Sequence, residues 1–227
     1  MKSLCVIPAR GGSKRIPRKN IRDFLGKPII AYSIETAINS GLFDEVMVST
    51  DDPEIARIAE EYGAKVPFFR SEENANDFAT TVDVLKEVFE MYKQKGQEFD
   101  IACCIYPTAP FVSEKRLIEA REKLISNSYD AVFPVLRFSF PIQRALKIKD
   151  DKIEMFQPEN MLARSQDLEP AFHDAGQFYF FVPQVIINAG TMWTSNTSCI
   201  EISDLEAQDI DNETDWEIAE FKYSFNK

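Results

Sequence analysis

Two adjacent glycines, Gly11 and Gly12, lie in a basic loop that directly follows a short apolar run. The apolar run, residues 4–7, is predicted to be a buried strand, and the loop, residues 10–20, leads toward a predicted helix. A loop that leaves a parallel strand and enters a helix attracts anions through its free N–H groups and the helix dipole. Because glycines let the backbone approach closely, the loop is predicted to hold the phosphates of a small molecule such as a nucleoside triphosphate.

The side chains of this loop fit the same role. Arg10, Lys14 and Lys19 could neutralise phosphate charge, and Asn20 could bond a sugar hydroxyl. The first 27 residues hold eight basic side chains and one acid, a net charge of +7, in a chain of net charge −11 whose remainder therefore carries −18. A local basic site in an acidic body suits a small polyanion and argues against a general role on nucleic acid or anionic membranes. A solvated basic face is the alternative interpretation.

Near the end of the chain, Asp209 and Asp211 are two residues apart. In extended backbone their carboxylates point to the same side and could share one hard cation, of which Mg²⁺ is the natural choice beside phosphates. A solvated turn, or favourable charge at the start of the following helix, explains the pair equally well. Thr214 and Glu217 form a plausible capping box, so Asp215 is interpreted as structural.

Several classes of site are disfavoured. His173 is the single histidine of the sequence, which excludes a histidine-based triad or a multi-histidine metal site. Asp51 and Asp52 end the second predicted strand, but Asp52 is better explained as the cap of a helix that starts at Pro53. The basic loop matches neither the P-loop nor the dinucleotide fingerprint. The four cysteines lack metal-ligand spacing, and no export or membrane segment is evident, so a cytoplasmic protein is expected.

The elements that must position these residues alternate between strand and helix. This alternation predicts an α/β fold with a Rossmann-like, mainly parallel sheet covered by helices, in one domain over residues 1–227. A change to short charged and aromatic segments predicts an extended excursion at about residues 138–175, interpreted as an oligomerisation arm. The predicted strands are residues 4–7, 46–48, 66–69, 101–106, 131–136 and 178–182, and the predicted helices are residues 28–41, with Pro28 first, 53–62, 81–95, 113–125 and one within 209–221.

Four segments of the chain resemble one enzyme family, the cytidylyltransferases that activate nonulosonic (sialic-type) acids. They are IPARGGSKRIPRKN at residues 7–20, VSTDD at 48–52, YPTAP at 106–110 and QDID at 208–211. The segments occur in the family's order and extend over nearly the whole chain. The resemblance implies a fold of the nucleotide-diphospho-sugar transferase type, Mg²⁺ as cofactor, CTP as co-substrate and a homodimer.

Three further segments resemble the branch of this family that acts on pseudaminic acid. They are FSFPIQRAL at residues 138–146, RSQD at 164–167 and HDAGQ at 173–177. The sialic acid branch usually has Gln where Tyr106 stands and Asn-Gly near Asp174, so these departures argue against N-acetylneuraminate as the substrate.

The resemblance also implies roles for individual residues. Arg70 and Thr81 are assigned by spacing alone, and a surface arginine and a helix cap are their alternative interpretations. Arg10, Lys14 and Asp211 are the expected catalytic residues, with Asp209 and Asp211 holding Mg²⁺. The expected CTP contacts are Ala9, Arg10, Gly11, Ser13, Lys14, Lys19, Asn20, Arg70 and Thr81. The expected sugar contacts are Tyr106, Gln143, Arg144, His173, Asp174 and Gln177.

The expected reaction is transfer of CMP from CTP to pseudaminic acid with release of pyrophosphate, and flagellin glycosylation is the use that the family implies. Arg144 is the candidate partner of the sugar carboxylate, while His173 and Gln177 could instead satisfy buried polar groups. The alternatives are a cytidylyltransferase for N-acetylneuraminic, legionaminic or deoxyoctulosonic acid, an NAD-dependent oxidoreductase, and a non-catalytic nucleotide-binding protein.

Overall fold

A mixed sheet of seven strands, flanked by helices, forms the centre of the computed structural model, which describes residues 1–225. The strands are β1 Ser3–Pro8, β2 Asp23–Phe24, β3 Lys27–Pro28, β4 Glu45–Ser49, β5 Ile101–Ile105, β6 Ala131–Arg137, β7 Leu146–Lys149, β8 Lys152–Met155, β9 Phe172–Asp174, β10 Phe178–Phe181 and β11 Thr197–Glu201. The helices are α1 Ile29–Asn39, α2 Pro53–Glu61, α3 Thr81–Gln94, α4 Glu114–Ser126, α5 Pro183–Ala189 and α6 Glu213–Phe225.

The strand order of the sheet is β11-β6-β10-β5-β1-β4, with β9 pairing to the end of β6. Strand β1 runs parallel to both β4 and β5, and β11 runs parallel to β6. Strand β10 enters between β5 and β6 in the antiparallel direction. The predicted α/β class is therefore confirmed, and β1 lies at the centre of its parallel half.

Apolar side chains cover both faces of the sheet because its central strands are nearly continuous runs of apolar residues. One face packs on α1, α2 and α4, and the other packs on α3 and α5. A third cluster joins α6 to the β2–β3 hairpin, where the buried ring of Phe24 makes edge contacts with Trp216 and Tyr223. Helix α6 thus closes over the chain segment that follows the basic loop.

Two predicted elements differ in the structure. Residues 66–69 form no strand: Lys65 alone bridges to Met47, after which Pro67 offers no N–H and Phe69 turns outward. Pro28 was predicted as the first helical residue, but it ends β3 and precedes α1 as its N-cap.

The cap of α6 also differs from the prediction. Asn212 accepts a hydrogen bond from the N–H of Asp215, whose carboxylate accepts in turn from the N–H groups of Asp211 and Asn212. The capping interactions therefore use Asn212 and Asp215 instead of Thr214 and Glu217, because the helix begins two residues earlier than that capping box requires. The structural interpretation of Asp215 is confirmed.

An extended segment lies outside the main sheet between β6 and β9, at residues 138–171. It carries the β7–β8 hairpin, whose two-residue turn is formed by Asp150 and Asp151 with φ of 49° and 59°. Because β9 belongs to the main sheet, this segment ends a few residues before the predicted limit of 175. Within residues 1–225, no helix has the length and apolar character needed to cross a membrane.

Candidate nucleotide-binding site

A cavity of about 280 Å³ opens at the carboxyl end of β1, beside the basic loop. Loops at this edge of a parallel sheet are the usual ligand site of α/β folds. Eight of the predicted contact residues line this cavity: Arg10, Ser13, Lys14, Lys19, Asn20, Arg70, Thr81 and Tyr106. The structure therefore assembles in one place residues that are as much as 96 positions apart in the sequence.

The basic loop is held in shape by its own side chains. Arg18 adopts a left-handed conformation with φ of 56° and pairs with Asp52 and Glu54 at the start of α2. The buried Asn20 side chain donates to the carbonyl of Arg10 at 2.9 Å. Asn20 therefore closes the loop, and Arg18 fastens it to the neighbouring βα unit.

Arg10 and Lys14 converge on one carboxylate. The Nη1 of Arg10 donates to Oδ1 of Asp77 at 2.7 Å, and the Nζ of Lys14 donates to Oδ2 of the same side chain. The hydrogen bond from Lys14, followed by that from Arg10, lowers the pKa of Asp77 below its ordinary value. The two cations predicted to hold phosphate thus already share an anion.

Gly11 and Ala9 lie beside this cavity without lining it. The N–H of Gly11 donates to Oδ1 of Asp51 at 3.0 Å, and a Cβ at Gly11 would lie 2.5 Å from Oδ2 of Asp52. Ala9 is buried in the core, with its N–H bonded to the carbonyl of Ser49. In this structure Gly11 is required by the closeness of Asp52, whereas the sequence analysis attributed it to the closeness of a phosphate.

Arg70 forms a buried wall of the cavity and is only 8% exposed. Its Nε donates to the hydroxyl of Ser49 at 3.1 Å, and its Nη2 donates to the carbonyl of the same residue. Burial lowers the pKa of this guanidinium. The alternative interpretation of Arg70 as a surface arginine is therefore wrong.

Thr81 and Tyr106 meet at the opposite wall. The hydroxyl of Thr81 lies 3.3 Å from the phenol oxygen of Tyr106, which follows β5. The N-cap of α3 is Thr80, in a capping box with Asp83, so the cap interpretation of Thr81 is wrong. Burial raises the pKa of Tyr106, which keeps its phenol protonated.

Comparisons with known proteins identify the family of the chain. The family model for cytidylyltransferases matches residues 4–189. The chain belongs to the cytidylyltransferase family. A pseudaminic acid cytidylyltransferase of Campylobacter jejuni is 44% identical over 227 residues, covering 100% of this chain and 98% of that protein.

Two more distant relatives show how far the likeness extends. A CMP-N,N′-diacetyllegionaminic acid synthase of Legionella pneumophila is 32% identical over 237 residues, with coverage of 100% and 98%. The solved structure of CMP:2-keto-3-deoxy-manno-octonic acid synthetase complexed with CTP has a TM-score of 0.73 at 19% identity, with full coverage of both chains. That structural likeness confirms the expected fold of this cytidylyltransferase.

The acidic pair of the cytidylyltransferase lies beside the basic loop. Arg15 Nη1 pairs with Oδ2 of Asp211 at 2.8 Å, and Lys19 Nζ donates to the carbonyl of Ile210 at 2.7 Å. Burial and then the charge of Asp211 raise the pKa of Asp209, whereas burial lowers the pKa of Lys19. Two carboxylates that repel each other beside this basic loop form a donor set that cations favour.

This donor set fits Mg²⁺ bound together with phosphates. Among residues 1–225, no group of three His, Cys, Asp or Glu side chains could hold a metal ion. Mg²⁺ usually takes one or two protein carboxylates and completes its shell with water and substrate phosphates. Asp209 and Asp211 supply that number of carboxylates.

Asp174 is linked to the cavity wall through a second tyrosine. Tyr179 donates to Oδ2 of Asp174 at 2.6 Å, and its ring packs edge-on against Tyr106 with centroids 5.6 Å apart. Burial, followed by the neighbouring Tyr106, raises the pKa of Tyr179. Tyr179 was not identified from the sequence, because its apolar strand gives no sign of a polar partner.

Gln177 and His173 flank Asp174 in the sequence and differ in their contacts. The buried Gln177 side chain donates to the carbonyl of Glu206 at 2.6 Å, which is the structural role considered as an alternative. The exposed His173 ring has its Nδ1 2.9 Å from the carbonyl of Asp174 and packs on Phe138.

Gln143 and Arg144 lie on the segment outside the main sheet. Gln143 donates to the carbonyl of Glu169 at 2.9 Å and leaves its own buried Oε1 without a partner in the described part of the chain. Arg144 lies 3.5 Å from the hydroxyl of Ser165. Neither residue lines the cavity that Arg10 lines. Of the six predicted sugar contacts, Tyr106 is the one that lines it.

Replacing Gly11 with Ala should lower the free energy of unfolding. The new Cβ displaces Asp52, which caps α2 by accepting from the N–H groups of Glu54 and Ile55. Loss of such a cap costs about 1 kcal/mol. Gly12 is the matched control, because a Cβ there meets no atom within 4 Å. Denaturant unfolding measures both variants, and equal stabilities would contradict the proposed packing of Gly11.

Proposed function

We propose that this chain is a pseudaminic acid cytidylyltransferase, which joins CMP from CTP to pseudaminic acid and releases pyrophosphate. The observation that carries the proposal is the cavity at the end of β1, where Arg10, Lys14 and Lys19 converge beside Asp209 and Asp211. The 44% identical relative from Campylobacter jejuni supports the choice of sugar.

The reaction needs charge neutralisation and alignment more than covalent chemistry by the protein. The anomeric hydroxyl oxygen of the sugar forms a bond to the α-phosphorus of CTP and loses its proton. The bond from that phosphorus to the oxygen bridging to the β-phosphate breaks, and pyrophosphate leaves. Arg10 and Lys14 bind the phosphates and offset the charge that develops on them.

Arg70 and Thr81 border the other end of the nucleotide. The Arg70 guanidinium is already oriented by Ser49, so little side-chain entropy is lost when it contacts the cytidine. Asn20 and Ser13 complete the same wall of the cavity. Ala9 and Gly11 follow the end of β1 and do not line the cavity, so their contribution is to shape the backbone of the loop.

Asp209 and Asp211 would hold Mg²⁺, which, when bound, neutralises triphosphate charge and orients the α-phosphate. Arg15 must leave Asp211 for this carboxylate to become a ligand, and a nearby phosphate offers the guanidinium a new partner. Lys19 stays bonded to the Ile210 carbonyl and fixes the acidic segment against the basic loop.

The sugar pocket is proposed to combine two regions. Tyr106 and Asp174, with His173 and Gln177, form the side next to the cavity. Gln143 and Arg144 form the other side, with Arg144 pairing with the sugar carboxylate. Because Gln143 and Arg144 do not line the cavity, the proposal includes a homodimer in which the arm of one subunit, residues 138–171, reaches the site of the other.

The arm has the surface expected of a dimer contact. Ile148 is 79% exposed and Leu162 is 94% exposed, and Phe140, Ile153 and Phe156 are also exposed on the same segment. An apolar patch of this kind is costly to leave in water.

We also place the enzyme in the cytoplasm. All four cysteines lie in the described part of the chain, and they are free thiols, as a reducing compartment favours.

The reaction is tested by pyrophosphate release from CTP and Mg²⁺, with pseudaminic, N-acetylneuraminic and legionaminic acids supplied separately. We expect release with pseudaminic acid and little with the other two. Tyr106 and Asp174 depart from the sialic acid branch, and the relative named for pseudaminic acid is 44% identical against 32% for the one named for diacetyllegionaminic acid. Release with another acid alone would support the cytidylyl transfer reaction and contradict pseudaminic acid as the substrate. No release with any acid would favour a nucleotide-binding protein without catalysis.

An Asp211→Asn variant should lower turnover by more than about tenfold and raise the Mg²⁺ concentration needed for half-maximal rate, because it removes a ligand. Glu217→Gln is the control, because it removes one negative charge at an exposed position on α6. It should leave the turnover and the Mg²⁺ concentration for half-maximal rate unchanged. The midpoint of thermal unfolding verifies that both variants are folded. Turnover near that of the unmodified enzyme would remove Asp211 from the metal site.

The dimer is tested by light scattering during gel filtration. The unmodified chain should show twice its mass of 26.0 kDa. The double variant Ile148→Asp/Leu162→Asp should shift it to the monomer and abolish turnover. Phe221→Asp places one such charge on an exposed apolar residue outside the arm and should remain dimeric. A monomeric unmodified enzyme with full activity would contradict the shared site.

A further inference from the structure

The carboxylate of Asp77 lies where a substrate phosphate is expected. It accepts hydrogen bonds from both Arg10 and Lys14, which are 67 and 63 positions away in the sequence. Both cations line the cavity, and the reaction requires both for the triphosphate. The arrangement therefore places an internal anion on the groups that must bind an external one.

The segment that carries Asp77 is fixed at its ends, and its tip is bonded mainly to itself, since Asn76 Oδ1 accepts from the N–H groups of Phe78 and Ala79. At one end, Glu87 accepts from the N–H of Ser71 and from the side chain of Asn74. At the other end, Thr80 begins α3 in its capping box. Between them, Phe78 is 91% exposed, so no apolar burial holds the tip against the body of the protein. Charge pairing is the main attraction between this tip and the basic loop.

A phosphate can replace the carboxylate at low cost. Both groups accept from the same N–H donors, but a triphosphate carries more charge and more acceptor oxygens. The ion pairs of Asp77 are solvent-exposed, with 39% exposure on its side chain and 77% on that of Lys14. Exposed ion pairs of this kind contribute little to stability, so breaking them does not unfold the segment.

We propose that Asp77 is a resident anion that competes with the triphosphate and pyrophosphate for Arg10 and Lys14, and that the tip at residues 76–79 opens when nucleotide binds. The proposal rests on the proposed function, which supplies the triphosphate. Between turnovers, Asp77 keeps the two cations paired and their side chains directed into the cavity. Its return after transfer also helps to displace the product pyrophosphate.

The test compares Asp77→Asn with Glu73→Gln. Glu73 is an exposed acid on the same segment that pairs with neither Arg10 nor Lys14, so its loss controls for the general change in charge. Calorimetric titration measures the dissociation constants of CTP and inorganic triphosphate without sugar. Cytidine, measured as a competitor of CTP, reports the part of the site that Asp77 does not touch.

Asp77→Asn should bind CTP and inorganic triphosphate roughly 2- to 10-fold more tightly, as expected from the loss of two exposed ion pairs. It should also be inhibited by pyrophosphate at lower concentrations. The affinity for cytidine should not change, and Glu73→Gln should change neither affinity by more than about twofold. Thermal unfolding verifies that both variants are folded.

Equal or weaker CTP binding by Asp77→Asn would overturn the proposal, as would the same gain in Glu73→Gln or a gain for cytidine. A failure of the proposed function would give a different result. If the unmodified chain binds no CTP, the function fails and this proposal fails with it. If the unmodified chain binds CTP and the variant gains nothing, only the role of Asp77 is lost.

Discussion

The contact of Asp52 with the basic loop is the constraint on which the rest of the site depends. Asp52 caps α2, pairs with Arg18 and lies against Gly11, so one carboxylate fastens the loop to the end of the sheet. The hydrogen bond from Arg18 is the main cause that lowers the pKa of Asp52. Without this anchor, Arg18 would lose one of its two carboxylate partners and the loop would lose its attachment to the start of α2.

Acidic side chains from several parts of the chain pair with groups of the basic loop. Asp51 accepts from the N–H of Gly11, Asp77 pairs with Arg10 and Lys14, and Asp211 pairs with Arg15. Each acid comes from a different segment of the chain, and the proposals above make Asp77 and Asp211 the ones that exchange partners when substrate and metal bind. The positive charge of the N-terminal segment is thus met locally by acids drawn from the negatively charged remainder of the chain.

Much of this fold was predictable because its signals are local. The run that becomes β1 is continuously apolar, and Asp52 followed by Pro53 marks the start of α2 in the sequence itself. The strand predicted at residues 66–69 was wrong, because whether an apolar run forms a strand depends on a partner that offers hydrogen bonds. Only Lys65 finds such a partner.

The site was predictable where a motif carries the information and unpredictable where distant pairing decides. The loop motif identified Arg10 and Lys14, but no periodicity or spacing indicates that Asp77 joins them. The charge of Arg70 made a surface position a reasonable alternative, whereas its hydrogen bonds to Ser49 allow it to be buried. Arg15 was not singled out, because its partner Asp211 lies at the other end of the chain.

A crystal structure of the enzyme with CTP and Mg²⁺ tests the central claim most directly. The account predicts the triphosphate at the end of β1, with its oxygens on Arg10 and Lys14 and the cytidine toward Arg70. The Arg18 and Asp52 pair should be unchanged. Nucleotide bound elsewhere, for example in the cavity of about 440 Å³ at the base of the arm, would contradict the assignment of the site.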